Sequence, residues 1–346
     1  MNLLVALIII AIGSFGQSSS YVPIKKIKDW SWESFWLVQG IFAWLVFPVL
    51  GSLLAVPEGG GLLDLLELRK EGGAFKSIIF GVLWGVGGLT FGLSMRYLGI
   101  ALGQSLALGA CSAFGTLIPA LQEGENLLRG NGLILLIAVC ISMVGITIIG
   151  YAGSLRSKNM SEEDRRKAVK DFALKKGLLI ALLSGVMSAC FALGLNSGQA
   201  IREAALSKGV NALFAGLPVV FLVTLGGFVT NATYCLYQNA KNRTFKDYVS
   251  LPANKWMNNL LFCALAGLLW YSQFFGLETG KSFMKSSPVL LAFSWCILMS
   301  LDILFSNVWG ILLKEWRGVG KTTVLILVAG LLILVFSIVF PQLFAR

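Results

Sequence analysis

Histidine is absent from the 346 residues of this chain. It is the side chain that most often acts as a general base at neutral pH, and it is also the commonest metal ligand. Its absence excludes serine–histidine and cysteine–histidine catalysis. An intramembrane enzyme is therefore a disfavoured interpretation of this sequence.

Charged and metal-binding residues are also scarce, since Asp, Glu, Lys and Arg together make up 13% of the chain. The acids Asp64 and Glu67, and likewise Glu162 and Asp164, fall in charged loops beside lysines and arginines. The six cysteines form no CxxC pair and all fall in apolar segments, where they are typical small packing residues. We expect no metal, no other cofactor and no disulfide.

Apolar residues dominate the remainder: 56% of the chain is hydrophobic and the mean hydropathy is +0.79. A helix needs about 20 apolar residues to cross a hydrocarbon layer of ~30 Å, and the chain has repeated runs of that length. The sequence therefore predicts an all-α membrane protein with ten transmembrane helices. The predicted spans are residues 3–20, 34–55, 76–95, 100–120, 131–151, 177–199, 212–236, 257–277, 287–312 and 322–341.

The net charge of +11 would indicate a nucleic-acid partner in a soluble protein. In a membrane protein the same excess follows from the positive-inside rule. With ten spans, the odd-numbered loops share one side and hold 19 of the 28 lysines and arginines. We therefore expect no nucleic acid, a lipid bilayer as partner, odd loops in the cytoplasm, both termini outside, and the first span retained as a permanent helix.

The most charged segment, residues 154–176, lies halfway along the chain and indicates a linker. Five spans on each side is an odd number, so two homologous halves would have opposite orientations, as in an inverted repeat. The predicted organisation is a first five-helix repeat at 1–152, a cytoplasmic linker at 153–176 and a second five-helix repeat at 177–346.

Three shorter motifs have structural interpretations. GVGKTT at 318–323 lacks the first glycine and the preceding strand of a phosphate-binding loop, so we interpret it as a basic turn. GLLDLLELRK at 61–70 is amphipathic and typical of a helix on the membrane surface. Gly81, Gly85, Gly88 and Gly92 recur every four residues, which predicts close helix packing.

A lone acid, Asp302, stands inside the apolar run WCILMSLDILFSNVW at 295–309. An ionised aspartate near the bilayer centre costs at least about 2.5–3.5 kcal/mol, so it should face the protein interior or a wet cavity. One interpretation is a static pair with a basic residue. The other is a proton-coupling group that is neutral during part of a cycle, with Glu33 at the start of span two as the second candidate.

Polar and aromatic side chains recur inside the other apolar spans. Each amide alone is as well explained by bonding between helices. Together they supply donors, acceptors and flat rings, which suit an uncharged polyhydroxy ligand such as a sugar. The predicted binding residues are Gln17, Ser18, Tyr21, Trp84, Gln104, Asn196, Gln199, Trp270, Tyr271 and Gln273.

Four segments resemble the bacterial L-rhamnose/proton symporters, a branch of the drug/metabolite transporter superfamily. They are YVPIKKIKDWSWE (21–33), LWGVGGLTFGLSMRYLG (83–99), LWYSQFF (269–275) and LLKEW (312–316), and the resemblance extends over nearly the whole chain. It implies ten helices in two inverted five-helix repeats, a central cavity between the halves, a bacterial inner-membrane location and proton-driven uptake of a deoxy-sugar.

The resulting hypothesis is a secondary transporter that imports L-rhamnose or a related monosaccharide with a proton by alternating access. Three alternative functions require other features. An exporter of amphipathic or cationic compounds would require an anionic, aromatic-lined cavity. A membrane enzyme would require several titratable groups at one depth, and a sensor would require a folded domain outside the bilayer.

Overall fold

The computed structural model describes residues 2–56, 67, 70, 72–98, 100–158, 174–313, 316 and 319–344. Within these ranges the chain is helical. The α-helices are α1 (Asn2–Ser19), α2 (Tyr21–Ile24), α3 (Trp32–Ile41), α4 (Phe47–Leu53), α5 (Ala74–Leu98), α6 (Ile100–Gln122), α7 (Gly130–Lys158), α8 (Leu174–Ser197), α9 (Gln199–Ser207), α10 (Leu217–Asn242), α11 (Ala253–Ser282), α12 (Pro288–Leu312) and α13 (Lys321–Phe344).

Ten segments of the described helices are long and apolar enough to cross a membrane, which confirms the predicted number of spans. Each predicted span overlaps one of them. The agreement arises because uninterrupted apolar runs form helices in lipid, where every backbone polar group must be satisfied within the segment. The all-α class predicted from the sequence is likewise confirmed.

Three predictions involve residues outside the described ranges. These residues are nearly all of the surface helix at 61–70, the linker residues 159–173 and Gly318 of the GVGKTT turn at 318–323. The glycine row on α5 is partly confirmed. A Cβ at Gly81 would lie 3.1 Å from the Gly226 Cα, and one at Gly85 would lie 3.1 Å from the Gly227 oxygen. Gly88 and Gly92 have no neighbour within 4 Å of such a Cβ, so the prediction of packing is wrong for them.

The chain forms two compact units, each of which takes segments from both halves of the sequence. The first unit contains Met1–Gly85 and Gly194–Phe283; the second contains Val86–Leu193 and Met284–Arg346. The inverted repeat of residues 1–152 and 177–346 stays a prediction, because a grouping by proximity does not compare the two halves with each other.

In the first unit, α1 packs along α11 through small residues. A Cβ at Gly13 would lie 3.2 Å from the Gln273 Cα, and one at Gly276 would lie 2.9 Å from the Ile9 oxygen. Such close backbone approach supplies dispersion contacts where lipid removes the hydrophobic drive between helices. It also explains why α11 continues to Ser282, five residues beyond the predicted end of that span at 277.

In the second unit, α7 and α13 approach closely at Gly145, where a Cβ would lie 3.1 Å from the Gly330 oxygen. An apolar core surrounds this contact and includes Ile146, Ile303 and Leu327. Hydroxyl groups add bonds between α7 and α12, since the Ser142 and Ser300 hydroxyls are 3.1 Å apart.

Two odd-numbered loops meet at one end of the first unit. The Lys28 backbone donates to the Asn259 side chain at 3.1 Å, and Asn259 donates back to the Lys28 carbonyl at 2.8 Å. The Lys255 ammonium bonds Asp29 at 2.8 Å. Loops on the same side of a membrane should meet in this way, and the assignment of that side to the cytoplasm stays a prediction.

Candidate functional site

The second span is interrupted by a widened turn. The described helix changes from α3 to a π-helical segment, Phe42–Val46, and then to α4, in which Pro48 occupies the first turn. Proline has no N–H, and its ring would clash with the carbonyl four residues earlier, which is that of Trp44. The wider turn accommodates this loss, and π turns are frequent at functional sites.

Trp44 is carried by this turn and folds back over Gly40, which has no side chain to obstruct the ring. A helical side chain points towards the N-terminal turn, so a bulky ring needs a small residue four positions earlier. The sequence contains this signal, since Trp32, Trp36, Gly40 and Trp44 stand at four-residue intervals. Neither Trp36 nor Trp44 is among the binding residues predicted from the sequence.

Three tryptophans of the first unit form what we call the tryptophan cluster: Trp44, Trp84 and Trp270. The ring centroids of Trp84 and Trp270 are 5.8 Å apart. Trp44 lies edge-on to both, at 6.0 Å from Trp84 and 5.9 Å from Trp270. The cluster brings together the two tryptophans that the sequence predicted as stacking faces, and these two rings are half-buried.

Two further aromatic residues extend the cluster. The Trp36 ring lies 5.8 Å from that of Trp44, and the Phe274 ring lies 5.1 Å from that of Trp270. The Trp36 indole N–H donates to the Asn231 side-chain oxygen at 3.1 Å. Asn231 is itself fixed, because its amide donates to the Gly227 carbonyl at 2.9 Å.

Several buried polar atoms of the first unit make no hydrogen bond to the described residues. Among the described residues, the Trp44 indole nitrogen, the Gln39 amide oxygen and the Tyr271 hydroxyl are buried without a hydrogen bond, as are Ser14 Oγ and Gln17 Oε1. An unsatisfied buried polar group costs about 1–3 kcal/mol, so such groups are uncommon in protein interiors. These five atoms lie on α1, on the segment from α3 to α4 and on α11; Trp30, Arg202 and, in the second unit, Thr116 also have such an atom.

The remaining predicted binding residues are placed as follows. The Gln273 amide is buried and donates to the Trp270 carbonyl at 3.0 Å. Ser18 is buried, Tyr21 is 55% exposed and Asn196 is half-buried. The exposed Gln199 amide donates to Glu203 at 3.0 Å on α9. Gln104 belongs to the second unit and is half-buried on α6.

Glu33 lies in a network of neutral hydrogen-bonding groups at the start of α3. Its carboxylate accepts bonds from Asn242 at 2.9 Å and from Thr244 at 2.8 Å. Only 6% of the residue is exposed. These contacts anchor the beginning of α3 against the end of α10, which is the ordinary structural role of an acid at a helix start.

Asp247 holds the same helix start from the neighbouring loop. Its Oδ2 atom accepts bonds from the Ser31 backbone N–H at 2.8 Å and from the Ser34 hydroxyl at 2.9 Å. Burial favours the neutral acid, but these bonds favour the carboxylate more strongly, and the pKa of Asp247 lies below its ordinary value. The charged carboxylate therefore stabilises the helix start.

Asp302 lies on α12 in the second unit, 9% exposed among buried neighbours. Ser300 and Ile303, which flank it on the helix, are also buried. The side chain is therefore turned towards the protein interior, as the cost of a lipid-facing charge requires.

A second intramembrane acid, Glu278, was missed by the sequence analysis. Glu278 lies just past the predicted end of the eighth span at 277, whereas α11 continues to Ser282 and leaves Glu278 only 5% exposed. Its Oε1 atom bonds the Lys281 ammonium at 2.8 Å. The positive charge of Arg202 adds a further attraction. The sequence does contain a signal that α11 continues to this point: Gly276 and Gly280 are four residues apart, and both lie on the face of α11 that packs against α1.

A cavity of about 450 Å³ lies at the loop end of the first unit. None of its lining residues carries one of the buried polar atoms that make no hydrogen bond. Three ammonium groups line it, which would suit an anion better than an uncharged ligand. Its lining residues are Lys26, Lys28, Asn254, Lys255, Asn258, Asn259 and Phe262.

Comparison with known proteins identifies the family. A family model described as L-rhamnose-proton symport protein matches residues 1–343. A protein of Yersinia pestis (strain Pestoides F) named L-rhamnose-proton symporter is 33% identical over 331 residues, covering 94% of this chain and 93% of that protein. A protein of the same name from Yersinia pseudotuberculosis serotype O:1b (strain IP 31758) has the same identity and coverage. The chain belongs to the L-rhamnose-proton symport protein family.

Proposed function

We propose that this chain is a transporter, not an enzyme, that imports L-rhamnose or a related monosaccharide together with a proton by alternating access. The observation that carries the proposal is the family match over residues 1–343. The ten apolar helices and the names of the relatives support it further. In a bacterium the membrane concerned would be the inner membrane, with both termini outside and the two inverted five-helix repeats at 1–152 and 177–346.

The tryptophan cluster supports a sugar as the substrate. Monosaccharides have hydroxyl groups at their edges and C–H groups on their ring faces, so they bind aromatic faces and neutral hydrogen-bonding groups together. Trp84 and Trp270 would stack on the C–H face. The proposed binding residues remain Gln17, Ser18, Tyr21, Trp84, Gln104, Asn196, Gln199, Trp270, Tyr271 and Gln273, of which Gln273 and Tyr271 are buried beside Trp270 on α11.

Asp302 is the proposed proton-coupling residue, with Glu33 as the second candidate. A buried carboxylate within a span is costly when ionised, and proton binding removes that cost. Asp302 would take a proton from outside and stay neutral while the sugar-bound transporter changes from outward to inward access. It would then release the proton to the cytoplasm. The two neutral hydrogen bonds to Glu33 support an anchoring role for that residue and rank it second.

Uptake of labelled L-rhamnose into proteoliposomes tests the proposal. With an acidic outer medium, wild-type protein should accumulate the sugar, and collapse of the gradient with a protonophore should abolish accumulation. No uptake and no exchange of L-rhamnose or a related monosaccharide by the wild type would contradict the proposed function.

The Asp302→Asn variant tests the coupling residue, and Asp29→Asn is its matched control. Both substitutions replace an acid by its amide, but Asp29 is exposed and pairs with Lys255 in a loop. We expect Asp302→Asn to exchange internal for external sugar without gradient-driven accumulation, and Asp29→Asn to accumulate normally. Full accumulation by Asp302→Asn would move the coupling role to another residue.

A further inference from the structure

The Trp44 indole N–H is the buried donor that the fold leaves without a partner at the centre of the tryptophan cluster. Trp44 is 5% exposed, and its nitrogen makes no hydrogen bond to any described residue. Its ring nevertheless contacts both proposed stacking faces, Trp84 and Trp270, at about 6 Å between centroids. A buried donor without a hydrogen bond costs stability.

Trp36 shows that the same helix can satisfy an indole. It lies two turns before Trp44 on one face, and its N–H donates to Asn231 at 3.1 Å. The two rings are neighbours, 5.8 Å apart. The unpaired state of Trp44 is therefore a local property, associated with the π turn and Pro48 that carry it.

Strained or unsatisfied local structure persists where it serves a function, and π turns concentrate at such places. The ligand that matches this site has an oxygen acceptor next to an apolar face. An uncharged monosaccharide has both: the hydroxyl oxygen accepts from the indole N–H, while the C–H face lies against Trp84 and Trp270.

We propose that Trp44 is a specificity-determining residue of the sugar site and that its indole N–H donates a hydrogen bond to one hydroxyl oxygen of the transported monosaccharide. The inference rests on the proposed function and deepens it. The N–H is enclosed in this conformation, so ligand binding must separate the rings enough to admit the hydroxyl, and the bond to sugar then replaces an unsatisfied donor by a satisfied one.

The test compares Trp44→Phe with Trp36→Phe, two identical substitutions at neighbouring rings. Trp44→Phe removes a donor that has no partner among the described residues, whereas Trp36→Phe breaks the bond to Asn231. We expect Trp44→Phe to raise the KM for L-rhamnose uptake about tenfold, equivalent to ~1.4 kcal/mol, with little change in maximal rate. We expect Trp36→Phe to lower the melting temperature and to raise KM much less than Trp44→Phe does.

A series of mono-deoxy rhamnoses identifies the partner hydroxyl. The sugar that lacks the accepting hydroxyl should have the same KM with wild type and Trp44→Phe, while the others should retain the tenfold difference. Replacement of Trp44 by benzothienylalanine keeps the bicyclic ring and removes the N–H, so it serves where Trp44→Phe fails to fold. It should reproduce the rise in KM.

Three results would overturn the inference: an unchanged KM in both Trp44 variants, equal increases at positions 36 and 44, or equal increases for every deoxy sugar. Failure of the proposed function gives a different result, because wild-type protein would then not transport L-rhamnose at all. In that case a panel of uncharged monosaccharides is tested by ligand-induced quenching of tryptophan fluorescence. A wild type that binds none of them would contradict both proposals.

Discussion

At the scale of single residues, Glu278 and Asp302 are two buried acids on apolar helices, and we assign them different roles. Glu278 bonds Lys281 at 2.8 Å, and both side chains are largely buried, with 5% and 18% exposed. Ions removed from water are tolerated when they are paired, and removal of one partner leaves the other uncompensated. We therefore interpret Glu278 as a structural ion pair, whereas Asp302 keeps its proposed coupling role.

Glu278→Gln should be strongly destabilising, by about 3–5 kcal/mol, because Lys281 is left without its counter-charge. The double variant Glu278→Gln/Lys281→Met should recover most of that loss, since it removes both charges. Thermal unfolding in detergent measures both. Asp29→Asn is the control, because it breaks an equally short ion pair between exposed side chains and should change the melting temperature little. A stable Glu278→Gln protein that has lost proton coupling would contradict the assignment.

At the scale of helices and turns, two devices set the position of Trp44: the π turn after α3 and the capped start of that helix. Pro48 cannot bond the carbonyl of Trp44, so the turn widens there. Asp247 fixes the start of α3 through Ser31 and Ser34. The register of the second span is therefore held at both ends of the segment that carries the tryptophans.

Pro48→Ala should allow a regular helix and rotate Trp44 away from Trp84 and Trp270. We expect a stabilised protein with rhamnose transport reduced about tenfold or more, since active sites often trade stability for function. Melting temperature and uptake rate, measured on the same preparation, test this. Unchanged transport in a protein of raised stability would mean that the π turn has no role in the site.

Asp247→Asn should weaken the start of α3 by about 1–2 kcal/mol at neutral pH, because the charged acceptor is lost. The folded-state pKa of Asp247 is lowered, so its contribution is complete above the ordinary pKa of 3.8 and is lost as the pH falls through the folded-state value. The difference in melting temperature between wild type and variant should therefore be largest at neutral pH and shrink in strong acid. A difference that grows as the pH falls would contradict the assigned role.

At the scale of the whole molecule, the spans could be predicted from the sequence because twenty apolar residues in a row have one stable solution in lipid. The buried position of Asp302 followed from the cost of exposing it. Trp84 and Trp270 are far apart in the chain, so their adjacency could not be predicted from sequence position. Both were chosen as binding residues from their residue type and their depth in the predicted spans. Trp44 and Glu278 escaped prediction because a π turn changes helical register and because packing on α1 extends α11 through a loop-like sequence.

Symport couples the entry of a sugar to proton movement in the same direction. The most direct measurement adds L-rhamnose to wild-type proteoliposomes in weakly buffered medium, with no imposed gradient, and records the external pH. Symport predicts that the medium becomes more alkaline as sugar enters, and that Asp302→Asn abolishes this response. Entry of labelled sugar with no change in external pH, or with acidification, would contradict it.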